Sequence, residues 1–516
     1  MGTISTGMAG MRPANGLVRT LARLVADRRV AAIGAVCLAG AAGLAGDLVA
    51  PRGATTAGQG LLFMVAGLGV GLAGGLLVRS RWILVPLVVA YIAGVELGRQ
   101  DLADPSLTIR FDNTYGIIMF ALARGLHGLL AFLPMTVGLL VGIGGARYAG
   151  WLPAARRRPF GTAALGALAI ALAALVAWPA STPAVLDATG QPVPGSIAEL
   201  ATVQLGGEDQ AVLIRAANHD NPVLLYLSGG PGQSDVALSR SLSTGWVEDF
   251  VFVDLDQRGN GKSYPAIDPL SSMTLDRAVA DVIELTEYLC DRFDEQKIYL
   301  VGESWGTILG VQAVQRRPDL FHAYIGSGQM VNVLETDRRI YRELVEYAAQ
   351  TGDPGFTATL LEAGEPPYRD FPWTNASVMA WYDLIYEPYS PSASSIARSE
   401  AAGVGPWGML GSEYGFIEKA NVLRGLVDTF AVMYPQLYEV DFRESATRLE
   451  VPVWVLDGAA ELDGRRDLVF EWFDAVEAPT KQLITYEDAA HSVAFEQADE
   501  VQRLLTGTIV PTTYGK

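Results

Sequence analysis

The sequence predicts an all-α transmembrane bundle followed by an α/β domain with a helical insertion, and three observations carry that expectation. At 516 residues the chain is too long for one ordinary core, so two domains are the starting point. Charge shows where to divide it. Residues 1–180 hold 15 Arg, no Lys and six acids, a net +9, which leaves −27 for the remainder of a chain whose total is −18. Apolar runs of spanning length are confined to the basic part, and short β-rich runs alternating with amphipathic helices fill the acidic part. The expected divisions are a membrane domain over 1–180, a linker over 181–197 and a second domain over 198–516.

A helix needs about 20 apolar residues to cross a hydrocarbon core, and five runs qualify: 30–50, 60–78, 82–97, 126–145 and 160–178. The third is short and needs Arg81 and Arg99 at its ends to snorkel. The first is expected to be a span and not a cleaved signal peptide, because its basic lead-in from Arg12 to Arg29 is long and further spans follow. Gly67, Gly69, Gly71, Gly74 and Gly75 crowd the second run, a composition that lets neighbouring helices approach closely. Residues 115–133 are apolar but interrupted by Arg124 and His127, and read either as an interfacial or re-entrant piece or as the start of the fourth span.

Arginine placement orients the bundle. Arg12, Arg19, Arg23, Arg28 and Arg29 precede the first span, Arg79 and Arg81 lie between the second and third, and Arg147, Arg156, Arg157 and Arg158 lie between the fourth and fifth. Five spans put all three clusters on one side, which the positive-inside rule makes the cytoplasm. The amino terminus is then cytoplasmic, and everything after Trp178 is extracytoplasmic.

In the acidic part, Pro222 to Leu227 reads as a buried strand running into Ser228-Gly229-Gly230-Pro231-Gly232, and Phe250 to Leu255 as a second strand ending in Asp256-Gln257-Arg258-Gly259. Thr274 to Phe293 is an amphipathic helix. Lys297 to Val301 is a strand, and Ile308 to Gln315 a helix. Strands alternating with helices imply a mostly parallel sheet covered on both faces. Residues 331–449 break the pattern with irregular helices, aromatics and the turn-rich Pro388 to Pro391, as an inserted cap does; strands resume at Val451 to Leu456 and Gln482 to Tyr486.

Between the Lys297–Val301 strand and its following helix lies Gly302-Glu303-Ser304-Trp305-Gly306, the G-x-S-x-G pattern of a nucleophile elbow. A serine hydroxyl is a weak nucleophile until a base takes its proton and a sharp turn holds it proud of the sheet. Ser304 therefore needs an acid and then a histidine after later strands. His491 lies five residues past the last strand; His127, His219 and His322 are not placed to reach Ser304. Asp457, Glu461 and Asp463 all follow Leu456, and loop reach favours Glu461, with Asp463 as the alternative and Asp457 close to the strand end. Oxyanion donors are expected from the backbone N–H of Trp305 and of Gly230.

Together, Gly229-Gly230-Pro231-Gly232, Asp256-Gln257-Arg258-Gly259 with Gly261 and Ser263, Ser304-Trp305-Gly306, and Gly458 with Glu461 resemble the proline iminopeptidase family of α/β-hydrolases. The resemblance covers about Asn221 to Glu496. It implies an α/β-hydrolase fold with a helical cap insertion, the triad Ser304, Glu461 and His491, and oxyanion donors at Gly230 and Trp305. The chain departs from the family at Ser228, where histidine is usual, at Glu303, where glycine is usual, and at Glu461, where aspartate is usual. Glu303 beside the nucleophile is expected to alter substrate charge preference. The family reads a free amino terminus with cap carboxylates; Glu362, Glu365, Asp370, Glu387, Glu400 and Glu413 are the candidates here.

Other chemistries fare poorly. Cys37 and Cys290 fall in a span and a helix, with no zinc-ligand spacing, and no cofactor is implied. Net acidity argues against nucleic acid as a partner; the expected partners are the lipid bilayer and a small peptide or ester substrate. Asp256 to Ser263 lacks phosphate-loop spacing. The leading expectation is a membrane-anchored serine aminopeptidase, followed by an esterase or lipase working near the bilayer and by an idle hydrolase fold used as a binding or sensing module.

Overall fold

The computed structural model describes residues 27–99, 105–153, 159–242, 245–385 and 408–514. Arg12, Arg19, Arg23, Arg156, Arg157, Arg158, Glu387, Glu400 and the Pro388–Pro391 turn lie outside these residues. The chain forms two compact units, one of residues 1–102 with 123–177, the other of 103–122 with 178–516.

The first unit is helical. Its helices are α1 (Arg28–Val49), α2 (Ala57–Val78), α3 (Leu84–Gly98), α4 (Leu126–Tyr148) and α5 (Pro159–Ala177). Among the described residues, five helical stretches are long and apolar enough to cross a membrane; α3 reaches that length with the 3-10 turn Arg81–Ile83, and the fourth stretch runs from Thr114 to Tyr148. Residues 115–133 prove to be the start of the fourth helix: Thr114–Phe120 and a π turn, Ala121–Gly125, lead into α4 without a break. Glycine packs α2 on α4. A Cβ at Gly71 would lie 1.9 Å from the Met135 carbonyl oxygen, and one at Gly138 2.1 Å from that of Leu68, so only bare backbones fit. Arg124 and His127 find partners within this unit: Arg124 pairs with Glu96 at 2.8 Å, and the His127 ring meets the Tyr91 hydroxyl at 3.0 Å.

The second unit is built on an eight-stranded sheet ordered β1-β2-β4-β3-β5-β6-β7-β8. Its strands are β1 (Ile197–Leu205), β2 (Glu208–Ala216), β3 (Val223–Leu227), β4 (Val251–Leu255), β5 (Ile298–Glu303), β6 (Phe321–Ser327), β7 (Val453–Gly458) and β8 (Lys481–Tyr486). β1 with β2 and β2 with β4 are antiparallel; all other neighbours are parallel. Both faces are buried. On β3, Val223, Leu225 and Leu227 enter one core while Leu224 and Tyr226 enter the other, the period of two that a strand imposes.

Helices α6 (Val236–Leu242), α7 (Leu275–Phe293), α8 (Trp305–Arg316), α9 (Val333–Thr351), α10 (Phe416–Met433) and α11 (Asp463–Ala475) follow in chain order. Between β6 and β7 lie α9, shorter helices Pro354–Ala363 and Trp373–Met379, and α10, where the irregular pattern places the cap. Two boundaries differ from the sequence reading. Residues 105–122, expected in the first domain, belong to the second unit. Residues 181–197, expected as a linker, are packed on it: Ser181 N–H donates to the Ser412 carbonyl at 2.8 Å, and Val185 is buried in the sheet's core. Neither segment shows periodicity in sequence, because its partners are far along the chain.

Candidate functional site

Ser304 sits between β5 and α8 with φ +52° and ψ −116°, a backbone conformation that side-chain-bearing residues seldom adopt. Close approach makes both glycines of the motif necessary. A Cβ at Gly306 would lie 2.1 Å from the Leu227 carbonyl oxygen at the end of β3, and one at Gly302 2.6 Å from the Gly306 carbonyl oxygen. Ser304 N–H donates to the Ser327 carbonyl at 3.0 Å, and Thr307 Oγ1, which donates to the Ser304 carbonyl, accepts from Met330 N–H at 2.9 Å. The turn is therefore held from both ends.

His491 and Glu461 are brought together across 30 residues of sequence. His491 Nδ1 lies 2.5 Å from Glu461 Oε2, while Glu461 Oε1 accepts from Leu462 N–H at 2.8 Å and from Arg465 Nη1 at 2.9 Å. Burial pushes the Glu461 carboxyl up, but the neighbouring His491 and Arg465 outweigh it and hold it at about 2. A carboxylate kept ionised at the imidazole's Nδ1 is what orients the ring and stabilises its cation. Gly328, at φ +55°, lies close against His491: a Cβ there would lie 2.4 Å from its carbonyl oxygen and 2.8 Å from its Nδ1.

The other two acids are engaged differently. Asp457 accepts from Arg466 at 3.0 Å and from Thr485 Oγ1 at 2.9 Å, and Asp463 opens α11. Neither is bonded to His491 among the described contacts.

The expected oxyanion loop follows β3. Gly230 has φ +118°, a value that favours glycine, and a Cβ at Gly229 would lie 3.5 Å from Ser304 Cβ, so the loop passes beside Ser304. Gln257 joins the two expected donor elements: its Oε1 accepts the Trp305 indole N–H at 2.7 Å, and its Nε2 donates to the Ser228 carbonyl at 3.1 Å.

A family model described as the alpha/beta hydrolase fold matches residues 222–369, from β3 through the elbow into the cap. This chain carries an α/β-hydrolase domain. The probable aminopeptidase YbaC of Bacillus subtilis (strain 168) is 28% identical over 302 residues, which are 58% of this chain and 93% of that protein. The hydrolase domain is also similar to the solved proline iminopeptidase-related protein of Thermus thermophilus, at 20% identity and a TM-score of 0.42, over 61% of this chain and 98% of that one. The solved proline iminopeptidase of Mycobacterium smegmatis is 15% identical with a TM-score of 0.38, over 60% and 97% of the two chains.

Beneath the elbow of the hydrolase domain lies a group of buried acids. Burial, followed by the nearby Asp235, pushes Glu303 up to about 8, and its Oε1 accepts from Ser492 Oγ at 2.8 Å. The sequence reading has Glu303 bias substrate charge; instead its carboxyl is buried against the loop that carries His491, where a neutral acid is favoured. Burial likewise pushes Asp256 up to about 7; it accepts from Lys262 N–H at 2.8 Å and the Tyr414 hydroxyl at 3.2 Å. The Asp256-Gln257-Arg258-Gly259 motif thus divides its work. Gln257 ties the site together, and Arg258 pairs with Asp281 at 2.9 Å behind the sheet.

The described cap carboxylates are engaged elsewhere. Glu365 pairs with Arg342 at 2.6 Å, Asp370 with Arg110 at 2.8 Å, and fully buried Glu413 with Arg240 at 2.5 Å; Glu362 is exposed. Gln257, Gly328 and Arg465 are the residues that reading the sequence missed. Gln257 alone had a signal, its place in a motif; the others act on partners that only folding brings near.

Proposed function

We propose that this chain is a membrane-anchored serine hydrolase of aminopeptidase type. Ser304 is the nucleophile, His491 the general base and Glu461 the acid that orients it, with the Gly230 and Trp305 N–H groups as oxyanion donors. The observation that carries the reading is the Glu461–His491 contact of 2.5 Å in a domain whose elbow holds Ser304 at φ +52°. The hydroxyl attacks a carbonyl carbon as His491 takes its proton. The tetrahedral oxyanion meets the two N–H groups, and His491 returns the proton to the departing amine. Water then releases the acyl group from Ser304 by the same path.

The aminopeptidase reading draws on the relative named as a probable aminopeptidase and on the motif set shared with proline iminopeptidases. A substrate of this kind is a small peptide or aminoacyl amide with a free amine. Its test is an aminoacyl-arylamide with and without an N-acetyl cap, alongside a medium-chain nitrophenyl ester. The acetylated amide is expected to lose most of its kcat/KM, because acetylation removes the positive charge by which an aminopeptidase site tells a free amine from a blocked one. Equal rates on both amides with faster ester cleavage would replace the aminopeptidase by an esterase.

Location follows from the same chain. Five apolar helices support anchoring in a membrane, and the arginine clusters support a cytoplasmic amino terminus with an extracytoplasmic hydrolase. Residues 105–112 share a unit with residues 178–516, which supports an even number of crossings between them, as five spans provide. Reporter fusions at Ser181 test this. A fusion active only in the cytoplasm would reverse the orientation.

A further inference from the structure

Residues 105–112 come from the connection between α3 and α4, yet they lie within the hydrolase unit, and their bonds there are specific. Ser106 is fully buried. Its N–H donates to Asp428 Oδ1 at 2.8 Å and its hydroxyl to Asp428 Oδ2 at 2.5 Å, and the Tyr264 hydroxyl completes the set at 2.6 Å on Oδ2. Asp428 is itself fully buried, so these three donors stand in for the water that a carboxylate would otherwise need. A second attachment lies four residues on. Arg110 donates to Asp370 at 2.8 Å and sits 5.6 Å from the ring centroid of Trp373. The segment therefore straps together two stretches of the cap, α10 and residues 370–373, that are more than 40 positions apart in sequence.

What α10 touches makes the strap consequential. A Cβ at Gly232, in the expected oxyanion loop, would lie 2.6 Å from the Gly425 carbonyl oxygen of α10, and one at Gly425 would lie 2.7 Å from the Gly259 carbonyl oxygen. Thr429, next to Asp428, donates to that same Gly259 carbonyl at 2.8 Å. One turn of α10 thus presses backbone to backbone on the loop carrying Gly230 and on the loop carrying Gln257, which bridges Ser228 and Trp305. Packed backbone has no slack, so displacing this turn displaces the oxyanion donors.

We infer that the connection between the third and fourth membrane helices is a working part of the catalytic unit: Ser106 is a positioning residue that, through Asp428 and α10, sets the oxyanion loop. The inference rests on Ser304 as the nucleophile, and it extends the active centre to a segment far outside the α/β-hydrolase sequence. A hydrolase portion beginning at residue 178 would lack this strap.

The test is the reaction of the full-length, detergent-solubilised chain with a fluorophosphonate, whose phosphoryl oxygen uses the same donors as a carbonyl oxyanion. Labelling amplitude reports the folded fraction, the limiting rate constant reports site geometry, and the half-saturating concentration reports probe binding. Ser106→Ala is expected to lower the limiting rate constant on the order of tenfold, with half-saturation within about twofold, because small displacements of reacting groups act on the barrier. Arg110→Ala loosens the exposed end of the strap and leaves the Asp428 bonds in place. It is expected to lower the same constant about threefold with full amplitude, so the inference stays testable if Ser106→Ala does not fold.

Wild-type rate constants in Arg110→Ala or in folded Ser106→Ala overturn the inference alone. So does a loss confined to amplitude, which would give the strap a stabilising role only. A wild-type chain that does not label, or a Ser304→Ala chain that still does, overturns the nucleophile reading and this inference with it.

Discussion

Gln257 accepts the indole N–H of Trp305 at 2.7 Å, so the residue that follows Ser304 is fixed from the loop after β4, two strands away in the sheet, as well as by its own helix. The other end of the same amide holds the Ser228 carbonyl at 3.1 Å. Replacing Gln257 with leucine leaves a buried indole N–H and a buried carbonyl unpaired and frees the two proposed oxyanion elements from each other. Turnover is expected to fall about tenfold to a hundredfold, within the range seen when an oxyanion donor is disturbed. Steady-state kinetics should show the loss in kcat more than in KM.

Under the proposed triad, Ser304→Ala and His491→Ala are each expected to abolish turnover, a loss on the order of 10⁴-fold or more, because residues of a triad act as a unit. Among the acids, Glu461→Gln should be the most damaging, since Glu461 alone of the three bonds His491, whereas Asp457 is held by Arg466 and Thr485. Comparing Glu461→Gln, Asp463→Asn and Asp457→Asn with one substrate decides the assignment. An inactive Asp463→Asn beside an active Glu461→Gln would transfer the role to Asp463.

The buried acids give stability a definite pH slope. Glu303 is raised from 4.5 to about 8, so between those values the unfolded chain releases a proton that the folded chain keeps. Unfolding is then increasingly favoured as pH rises, and this stability, full below about 4.5, is gone once pH passes about 8. For a group this buried the linkage amounts to a few kcal/mol on the order-of-magnitude scale. Asp256 and Asp337, each raised to about 7 by burial, act in the same direction. Thermal melting of the full-length chain should show Tm falling from pH 5 to pH 8, and Glu303→Gln should flatten the slope without removing it. Glu461, held at about 2, has the opposite sign: its contribution is present above about 4.5 and lost as pH falls through about 2.

In the helical unit the contact between α2 and α4 leaves no room for a side chain at Gly71, where a Cβ would sit 1.9 Å from the Met135 carbonyl oxygen. Gly71→Val should force the helices apart and cost about 1–3 kcal/mol or more, as overpacking does. Gly69→Ala, where a Cβ meets nothing within 4 Å, should be neutral by the same melting measurement in detergent.

Reading the elbow from sequence worked because its requirements are local: a strand, two glycines where backbones touch, a serine between them and a helix after. The same holds for the five apolar helices and the alternating strands, whose periodicities are imposed by the solvent each face meets. Sequence also put His491 and Glu461 on loops that the fold brings into contact, since strand order fixes which loops reach one end of the sheet.

Sequence left Glu461 and Asp463 in competition because two residues of loop shift an acid by several ångströms, and only the turn at Gly458–Leu462 with Arg465 decides which one faces the imidazole. It held no hint that Gly328 lies against His491 with no room for a Cβ, that Glu303 bonds Ser492, or that Ser106 bonds Asp428 across 322 positions. Each of these depends on a partner brought near by the closing of the sheet and the cap. A short polar segment between two apolar helices looks the same whether it faces water or fills a buried carboxylate's hydrogen bonds, so the tertiary structure alone made it part of the hydrolase unit.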